Sequence, residues 1–152
     1  MSLGGEEIRC HHRPVTIVIG PLEGDVARYD FLHLMGDAEL ERALEDMGAI
    51  LERAAAARRK VGFLAVSTSE SRMTSKQRNR AASWVKEHDA LMTAACAGMS
   101  IVVPGAIQRG AFTAILWLVD YPAPIRAFGA LPEAEAWIRS IVRSETSFAP
   151  NL

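Results

Sequence analysis

The sequence lacks a hydrophobic run long enough to cross a membrane, and it is poor in cysteine. Its longest uncharged apolar run, Gly110–Val119, is far shorter than the roughly 20 residues that span a bilayer as a helix. Residues Met1–Glu7 show no basic region followed by an apolar one, so no secretory signal is expected. The two cysteines, Cys10 and Cys96, do not form a disulfide framework. We therefore expect a cytoplasmic protein with no membrane span, in which Cys96, set among Ala and Met, is a small core residue.

Excess charge and the usual cofactor motifs are also missing. The formal net charge of −1 gives no electrostatic support for a nucleic-acid partner or an anionic membrane. There is no G-x-G-x-x-G after a strand and no Gly-Lys-Ser/Thr loop, so no nucleotide cofactor is expected. The one cluster of metal-ligand type is Cys10 with His11 and His12, while His33 and His88 stand alone. Adjacent residues rarely converge on one ion, so no metal is expected.

Catalytic signatures are sparse as well. No serine lies in a G-x-S-x-G elbow, and only four histidines could serve as a general base. No convergent set of acid, base and nucleophile can be named. The sequence therefore favours a protein that is not an enzyme.

What the chain does contain is an alternating α/β pattern in 152 residues that are 49% apolar. This is enough for one domain with its own core, which we assign to residues 14–143. Residues 1–13, whose Met1–Leu3 start is typical of a cloning scar, and residues 144–152 are expected to be flexible. The predicted order is ββαβαβαβα, a mixed and mostly parallel sheet with helices packed on it.

Patterns of apolar and turn residues predict the individual elements. Val15–Ile19 and Val26–Leu32 are predicted as an antiparallel hairpin, and Val61–Val66, apolar throughout, as a central strand. Asp37 is the predicted N-cap of the first helix. Residues 89–98 are ambiguous between the end of a helix and the entry to the strand Met99–Val103. Further elements are a helix from Thr74, a helix Ala106–Val119, a strand Ile125–Phe128 and a last helix with Pro132 in its first turn and Ala134, Trp137, Ile138, Ile141 and Val142 on its core face.

The helix predicted over Ala106–Val119 is apolar on most sides. One stripe consists of Ile107, Ala111, Ala114, Ile115 and Leu118, and Phe112, Leu116 and Trp117 add a second apolar flank. Such a helix is either sandwiched inside the domain or in contact with a partner subunit.

The hydroxyl-rich loop Ser67–Ser75 is the best candidate for a functional site. It follows a central strand and precedes a helix, which is the edge of an open α/β sheet where ligands bind, and helix N-termini favour anions. Thr74 and Gln77 fit a capping box, and capping and turn formation by Ser and Thr are the alternative explanation of the loop. The candidates for phosphorylation or anion binding are Ser67, Thr68, Ser69, Ser71, Thr74 and Ser75, with Arg72, Lys76 and Arg78 as neighbouring cations.

Two further observations concern basic residues. Lys76, Arg78 and Arg80 make the start of the second helix basic, which is mildly unfavourable and is the type of local conflict that can mark function. Arg109, one turn into the helix after Pro104-Gly105, is expected to face the same sheet edge as the loop. The alternative is a solvated or ion-paired arginine.

The C-terminal half resembles a known family. It is similar to the bacterial SpoIIAA-like group in its succession of elements and motifs. These are a strand, Pro-Gly-x-x-x-Arg-Gly, a helix, Trp-Leu, Pro-x-Pro, a strand and Glu-Ala-Glu-Ala-Trp. That group is related to STAS domains, the fold of anti-sigma-factor antagonists, and is distantly similar to the CRAL-TRIO lipid-binding domain. The resemblance covers roughly Val15–Val142 and depends on Arg109, Trp117, Pro124, Phe128, Glu133, Ala134 and Trp137, together with Ala81 and Trp84.

The resemblance implies a small domain that binds partners and is not a catalyst. In the antagonists, a serine at the helix start after the third strand is phosphorylated by a partner kinase, and Ser67–Ser75 is the matching place here. The Asp-Ser-Gly type of motif is missing, because the strand runs directly into Ser67 without a glycine. We therefore expect a STAS-like interaction module with a protein partner, a homodimer being one form of it. The alternative is a small-molecule or lipid carrier of CRAL-TRIO-like type, with an apolar ligand.

Overall fold

The structure is a computed structural model that describes residues 26–31, 36–68, 73–118 and 120–146. These residues form the elements β1 (Val26–Phe31), α1 (Asp37–Ala56), β2 (Val61–Ser67), α2 (Ser75–Glu87), α3 (Asp89–Ala95), β3 (Cys96–Val102), α4 (Ala106–Leu118), β4 (Ile125–Phe128) and α5 (Leu131–Thr146). The predicted α/β class is confirmed. The predicted first strand, Val15–Ile19, lies outside the described residues.

The four described strands form one sheet in the order β1-β2-β3-β4, and each neighbouring pair is parallel. Each connection between strands contains at least one helix, and a helical crossover returns the chain to the end of the sheet from which it started. The described sheet is therefore parallel throughout and not mixed. The antiparallel hairpin that we predicted involves residues that the structure does not describe.

One face of the sheet packs on α1 and α3. Ala27 and Tyr29 of β1 and Phe63 of β2 lie in one buried cluster with Leu51 of α1 and Met92 of α3. Cys96 is also in this cluster, 3% exposed, and burial raises the pKa of its thiol to about 11. The prediction that Cys96 is a core residue is confirmed.

The other face of the sheet packs on α5. Leu64 and Val102 cluster with Ala134 of α5, and the predicted core face of this helix is confirmed. Gly62 explains the close approach, because a Cβ built there would lie 2.8 Å from both Ile138 Cγ1 and Val142 Cγ2. With both faces covered, the apolar strand Val61–Val66 lies inside the sheet, as predicted.

Several boundaries differ from the predictions. The N-cap of α1 is Gly36 and not Asp37, which is the first residue of the helix. The Gly36 amide donates to Glu39 Oε2 at 3.3 Å, so the acidic side chain three residues on satisfies the helix start. The ambiguous segment divides into α3 and β3 at Cys96. Helix α5 continues to Thr146, past the predicted start of the tail at residue 144.

Helix α4 is oriented differently from a core helix. It contacts β4, and among the described residues none of its side chains is buried. Its predicted stripe faces outward, with Ile107 and Leu118 85% and 86% exposed. The alternative in which this helix is sandwiched in the domain is therefore wrong for the described part of the chain. Among the described residues, no helix combines the length and apolarity needed to cross a membrane.

Candidate regulatory site at the start of helix α2

The carboxyl end of β2 leads into the candidate loop. Ser67, the last residue of β2, is half-buried, and its hydroxyl donates to the carbonyl oxygen of Val102 in the neighbouring strand. Thr68 is half-buried next to it. Ser69, Ser71 and Arg72 lie outside the described residues. The Ser67 hydroxyl thus joins the ends of two central strands.

The predicted capping box at the start of α2 is confirmed. The Gln77 amide donates to Thr74 Oγ1 at 3.1 Å, and the Thr74 amide donates to Gln77 Oε1 at 3.0 Å. Each side chain satisfies an amide that the helix leaves without an intrahelical acceptor. The Thr74 hydroxyl therefore has a structural role as the N-cap of α2.

Ser75 is the first residue of α2, and its side chain is exposed. Arg78 folds back over it. One guanidinium nitrogen, Nη2, donates to Ser75 Oγ at 3.0 Å, and the other, Nη1, donates to the Met73 carbonyl at 2.9 Å. The local chain explains this contact, because residues three apart lie on one face of a helix. Among the described residues of the loop, Ser75 is thus the one whose hydroxyl is exposed and accepts a hydrogen bond from a cation predicted for the site, Arg78.

The other cations of the helix start are held by α1. Lys76 Nζ lies 3.5 Å from Asp37 Oδ2, and both side chains are largely exposed. Arg80 makes two hydrogen bonds to the Glu41 carboxylate, at 2.7 and 3.2 Å. The hydrogen bond from Arg80 holds the pKa of the Glu41 carboxyl below its usual value. The unfavourable basic start of α2 is therefore compensated by the acidic start of its neighbour.

Gln77 connects the capping box to this charged contact. Its side chain is 3% exposed, and its Nε2 donates to Asp37 Oδ1 at 3.0 Å. Asp37 consequently accepts from Gln77 and pairs with Lys76 at the same time. We call Asp37, Glu41, Lys76, Gln77 and Arg80 the α1–α2 bridge. The sequence predicted Lys76 and Arg80 as cations of the helix start and Gln77 as part of the capping box, but not the pairing of these residues with Asp37 and Glu41.

Arg109 lies at the same edge of the sheet, at the end of β3. Its Nη1 donates to the Val103 and Pro104 carbonyls at 3.0 and 3.3 Å. The guanidinium also crosses Gly129, where a Cβ would lie 2.8 Å from Nη1. Arg109 thus connects the start of α4 to the ends of β3 and β4. Arg109 donates to backbone carbonyls, whereas Arg78 donates to the exposed side-chain oxygen of Ser75.

The chemistry that this arrangement supports is the binding of an anion. Two cations, Lys76 and Arg78, lie within the first turn of α2, whose N-terminus carries the positive end of the helix dipole. The site also contains the exposed Ser75 hydroxyl, which can be modified. Among the described residues, no group of three His, Cys, Asp or Glu side chains is placed to hold a metal ion.

A signal for the α1–α2 bridge exists in the sequence. Asp37 and Glu41 are four residues apart on one helix, and Lys76 and Arg80 are four residues apart on another. Two pairs of opposite charge with the same spacing match when their helices lie side by side. Reading that match requires knowing that α1 and α2 are neighbours, which the spacing alone does not tell.

Three comparisons with known proteins found no match: no family model, no curated protein and no solved structure is similar to this chain.

Proposed function

We propose that this chain is a non-enzymatic interaction module of STAS type, in which phosphorylation of Ser75, or an anion bound beside it, controls binding to a protein partner. The observation that carries the proposal is the exposed Ser75 hydroxyl, 3.0 Å from Arg78 Nη2 in the first turn of α2. The resemblance to the anti-sigma-factor antagonists supports the proposal, since it implies that this loop corresponds to their phosphorylated segment.

Electrostatics favours a phosphate at Ser75. A phosphoserine carries about −1.5 to −2 charges at neutral pH and three strong acceptor oxygens. At Ser75 these oxygens would be within reach of the Arg78 guanidinium, which already contacts the hydroxyl. The positive end of the α2 dipole adds to the attraction. The same three features would attract a free anion.

The α1–α2 bridge provides a route by which a phosphate can be sensed elsewhere. Lys76 is adjacent to Ser75 in the chain and pairs with Asp37 of α1 at 3.5 Å. A phosphate would compete with Asp37 for this ammonium group and would repel the Asp37 carboxylate. The charge on Ser75 would thereby change the contact between the starts of α1 and α2, and a partner that spans both helices would detect it.

The modification itself is tested by mass spectrometry on the chain isolated from its native host. We expect phosphate on Ser75. Persistent absence of phosphate from Ser75 and from the other hydroxyls of Ser67–Ser75, under all growth conditions tried, would remove the phosphorylation form of the proposal.

The effect of the charge is tested with phosphoserine incorporated at position 75. Ser83, also exposed on α2 but beyond its first turns, is the matched control position. Phosphoserine at 75 should change the set of partners captured from the host, and the Ser75→Ala chain should behave as the unmodified protein. Identical capture by the unmodified chain and by the chains modified at 75 and at 83 would contradict the proposal.

Among the described residues, the structure gives little support to the alternative function as a small-molecule or lipid carrier. A cavity of about 160 Å³ lies at the amino ends of β1 and β2, lined mainly by Val26, Ala27, Ile50, Ala54 and Val61. Sites for small organic ligands usually have volumes of about 300–1,000 Å³. This cavity is therefore small for a lipid.

A further inference from the structure

Helix α4 presents to solvent the face that an amphipathic helix normally buries. Arg109, Phe112, Thr113 and Leu116 are half-buried and hold the helix on the domain. On the opposite face Ile107 and Leu118 are 85% and 86% exposed, and Ile115 is 48% exposed. A helix at the surface of a monomer usually shows its polar side to water.

The exposed face of α4 also carries no charge. Arg109 is the one charged residue in the helix sequence, and its guanidinium is turned back onto the Val103 and Pro104 carbonyls. Two such faces can meet without desolvating an ion and without like-charge repulsion. A strongly charged partner would gain nothing from this surface, whereas an identical uncharged surface fits it.

The exposed large apolar side chains of α4 supply about half of the area that one partner buries in a stable dimer. Ile107, Ile115, Trp117 and Leu118 are between 48% and 86% exposed. Trp117 offers roughly 200 Å² and each of the three aliphatic side chains roughly 100 Å², so at these exposures they present on the order of 400 Å² of apolar surface. The largest apolar patch of a typical monomer is about 300–600 Å², and a stable dimer buries about 800 Å² on each partner. The exposed alanines next to these residues supply further area.

The order of residue sizes along α4 fits a second copy that runs antiparallel. Ile107, Ala111, Ala114 and Leu118 follow each other at steps of four, three and four residues, which is the spacing of a helix–helix seam. In an antiparallel pair centred between Ala111 and Ala114, Ile107 meets Leu118 of the partner subunit. Ala111 then meets Ala114 of the partner subunit, so that small residues meet at the centre and large residues meet at both ends.

Trp117 fits the same arrangement. It is 84% exposed on the flank of the seam that also contains Gly110. In the antiparallel pair with this register, Trp117 lies opposite position 108 of the partner subunit, and Gly110 of the partner subunit is two residues away on the same flank. A Cβ built on Gly110 would meet nothing within 4 Å, so there is open space for the ring. We propose that α4 is the interface of a two-fold homodimer, in which two copies of this helix pack antiparallel along Ile107, Ala111, Ala114 and Leu118.

A two-fold contact of this kind uses the same surface on both subunits. The inference is independent of the proposed role of Ser75, because α4 and the start of α2 are separate elements and the test below requires no phosphate.

Sedimentation velocity of the full chain tests the proposal, with charges placed at the centre of the seam. The wild-type chain should sediment as a species with twice the monomer mass of 16.6 kDa. Ala111→Lys and Ala114→Glu each place two like charges close together in the dimer and should each give monomers. Both alanines are exposed in the monomer, so circular dichroism should remain that of the wild type. Ala82→Glu, on the exposed side of α2, is the matched control and should remain a dimer.

Mixing the two variants tests the antiparallel geometry. Lys at position 111 of one copy would meet Glu at position 114 of the other, so the equimolar mixture should sediment as a dimer although each variant alone is a monomer. A mixture that stays monomeric would overturn the antiparallel seam. The proposed interface would be overturned by a wild-type chain that is monomeric at micromolar concentrations, including one that binds phospholipid vesicles instead of itself. It would also be overturned by an Ala114→Glu chain that remains a dimer.

Discussion

Replacing Gln77 by alanine tests whether the α1–α2 bridge stabilises the domain. Gln77 is 3% exposed, accepts from the Thr74 amide and donates to Asp37 Oδ1, both at 3.0 Å. The capping hydrogen bond contributes about 1 kcal/mol. The bond to a carboxylate contributes up to about 3 kcal/mol when buried, but Asp37 is largely exposed and water can replace the lost donor. We therefore expect Gln77→Ala to lower the free energy of unfolding by about 2 kcal/mol.

Urea denaturation at neutral pH measures this change. The m-value, which is the slope of the free energy of unfolding against urea concentration, should stay the same because the folded core is not altered. For a chain of this size, 2 kcal/mol corresponds to a fall in Tm of roughly 4–8 °C. Asn79→Ala is the matched control, since Asn79 is an exposed amide residue of the same helix. Alanine has the higher helix propensity, so this control should be neutral or more stable than the wild type.

Gln77→Glu separates the two roles of the side chain. A carboxylate at position 77 can still accept from the Thr74 amide, but it would face the Asp37 carboxylate in place of donating to it. The two carboxyls would then share a proton more readily in the folded state than in the unfolded state. Because the folded state binds more protons, the variant should regain stability relative to wild type as the pH falls from 7 toward about 4. A Gln77→Ala chain as stable as the wild type would refute this account of the bridge.

Three other predictions concern buried groups. Ser100→Ala should leave the free energy of unfolding unchanged or raise it by up to about 1 kcal/mol in urea denaturation, because the 0% exposed hydroxyl has no hydrogen-bond partner among the described residues. Gly62→Ala should lower the free energy of unfolding by about 1–3 kcal/mol through overpacking against α5. At Gly48 a Cβ would make an ordinary 3.5 Å contact, so Gly48→Ala should stabilise α1 by about 0.5–1 kcal/mol. Equal effects of the two substitutions would contradict the packing argument. Burial, with a smaller effect of a nearby carboxylate, raises the pKa of Tyr29 from 10.0 to about 12. The folded state therefore keeps a proton that the unfolded state releases, and the free energy of unfolding should fall as the pH rises from about 10 to about 12. Tyr29→Phe should reduce this alkaline loss, and an unchanged pH profile would contradict the assignment.

The parts of the fold that could be predicted from the sequence depend on local patterns. The capping box involves Thr74 and Gln77, only three residues apart, and its hydrogen bonds form wherever the helix packs. The central position of β2 follows from an uninterrupted apolar run, because such a strand has no side suited to water. The core face of α5 follows from its periodicity in the same way.

Other features depend on which elements become neighbours, and local patterns do not contain that information. Periodicity shows that Ile107, Ala111 and Leu118 share a face of α4, but it does not show whether that face points inward. The need for glycine at position 62 becomes apparent only when α5 lies against β2. At the candidate site, the cations of α2 were visible in the sequence, whereas their partnership with Asp37 required the contact between two helices.

The order of the sheet has a consequence for synthesis of the protein. Because β1, β2, β3 and β4 lie side by side in the order in which they are translated, each strand can join the sheet as it leaves the ribosome, with no place held open for a later strand. The exception is the face that α5 covers, since this helix contacts all four strands and follows them in the chain. Until α5 emerges, Leu64 and Val102 remain uncovered on the nascent sheet. A chain whose four described strands have emerged while α5 is still inside the ribosome therefore has a paired sheet whose second face is open to chaperones and to aggregation.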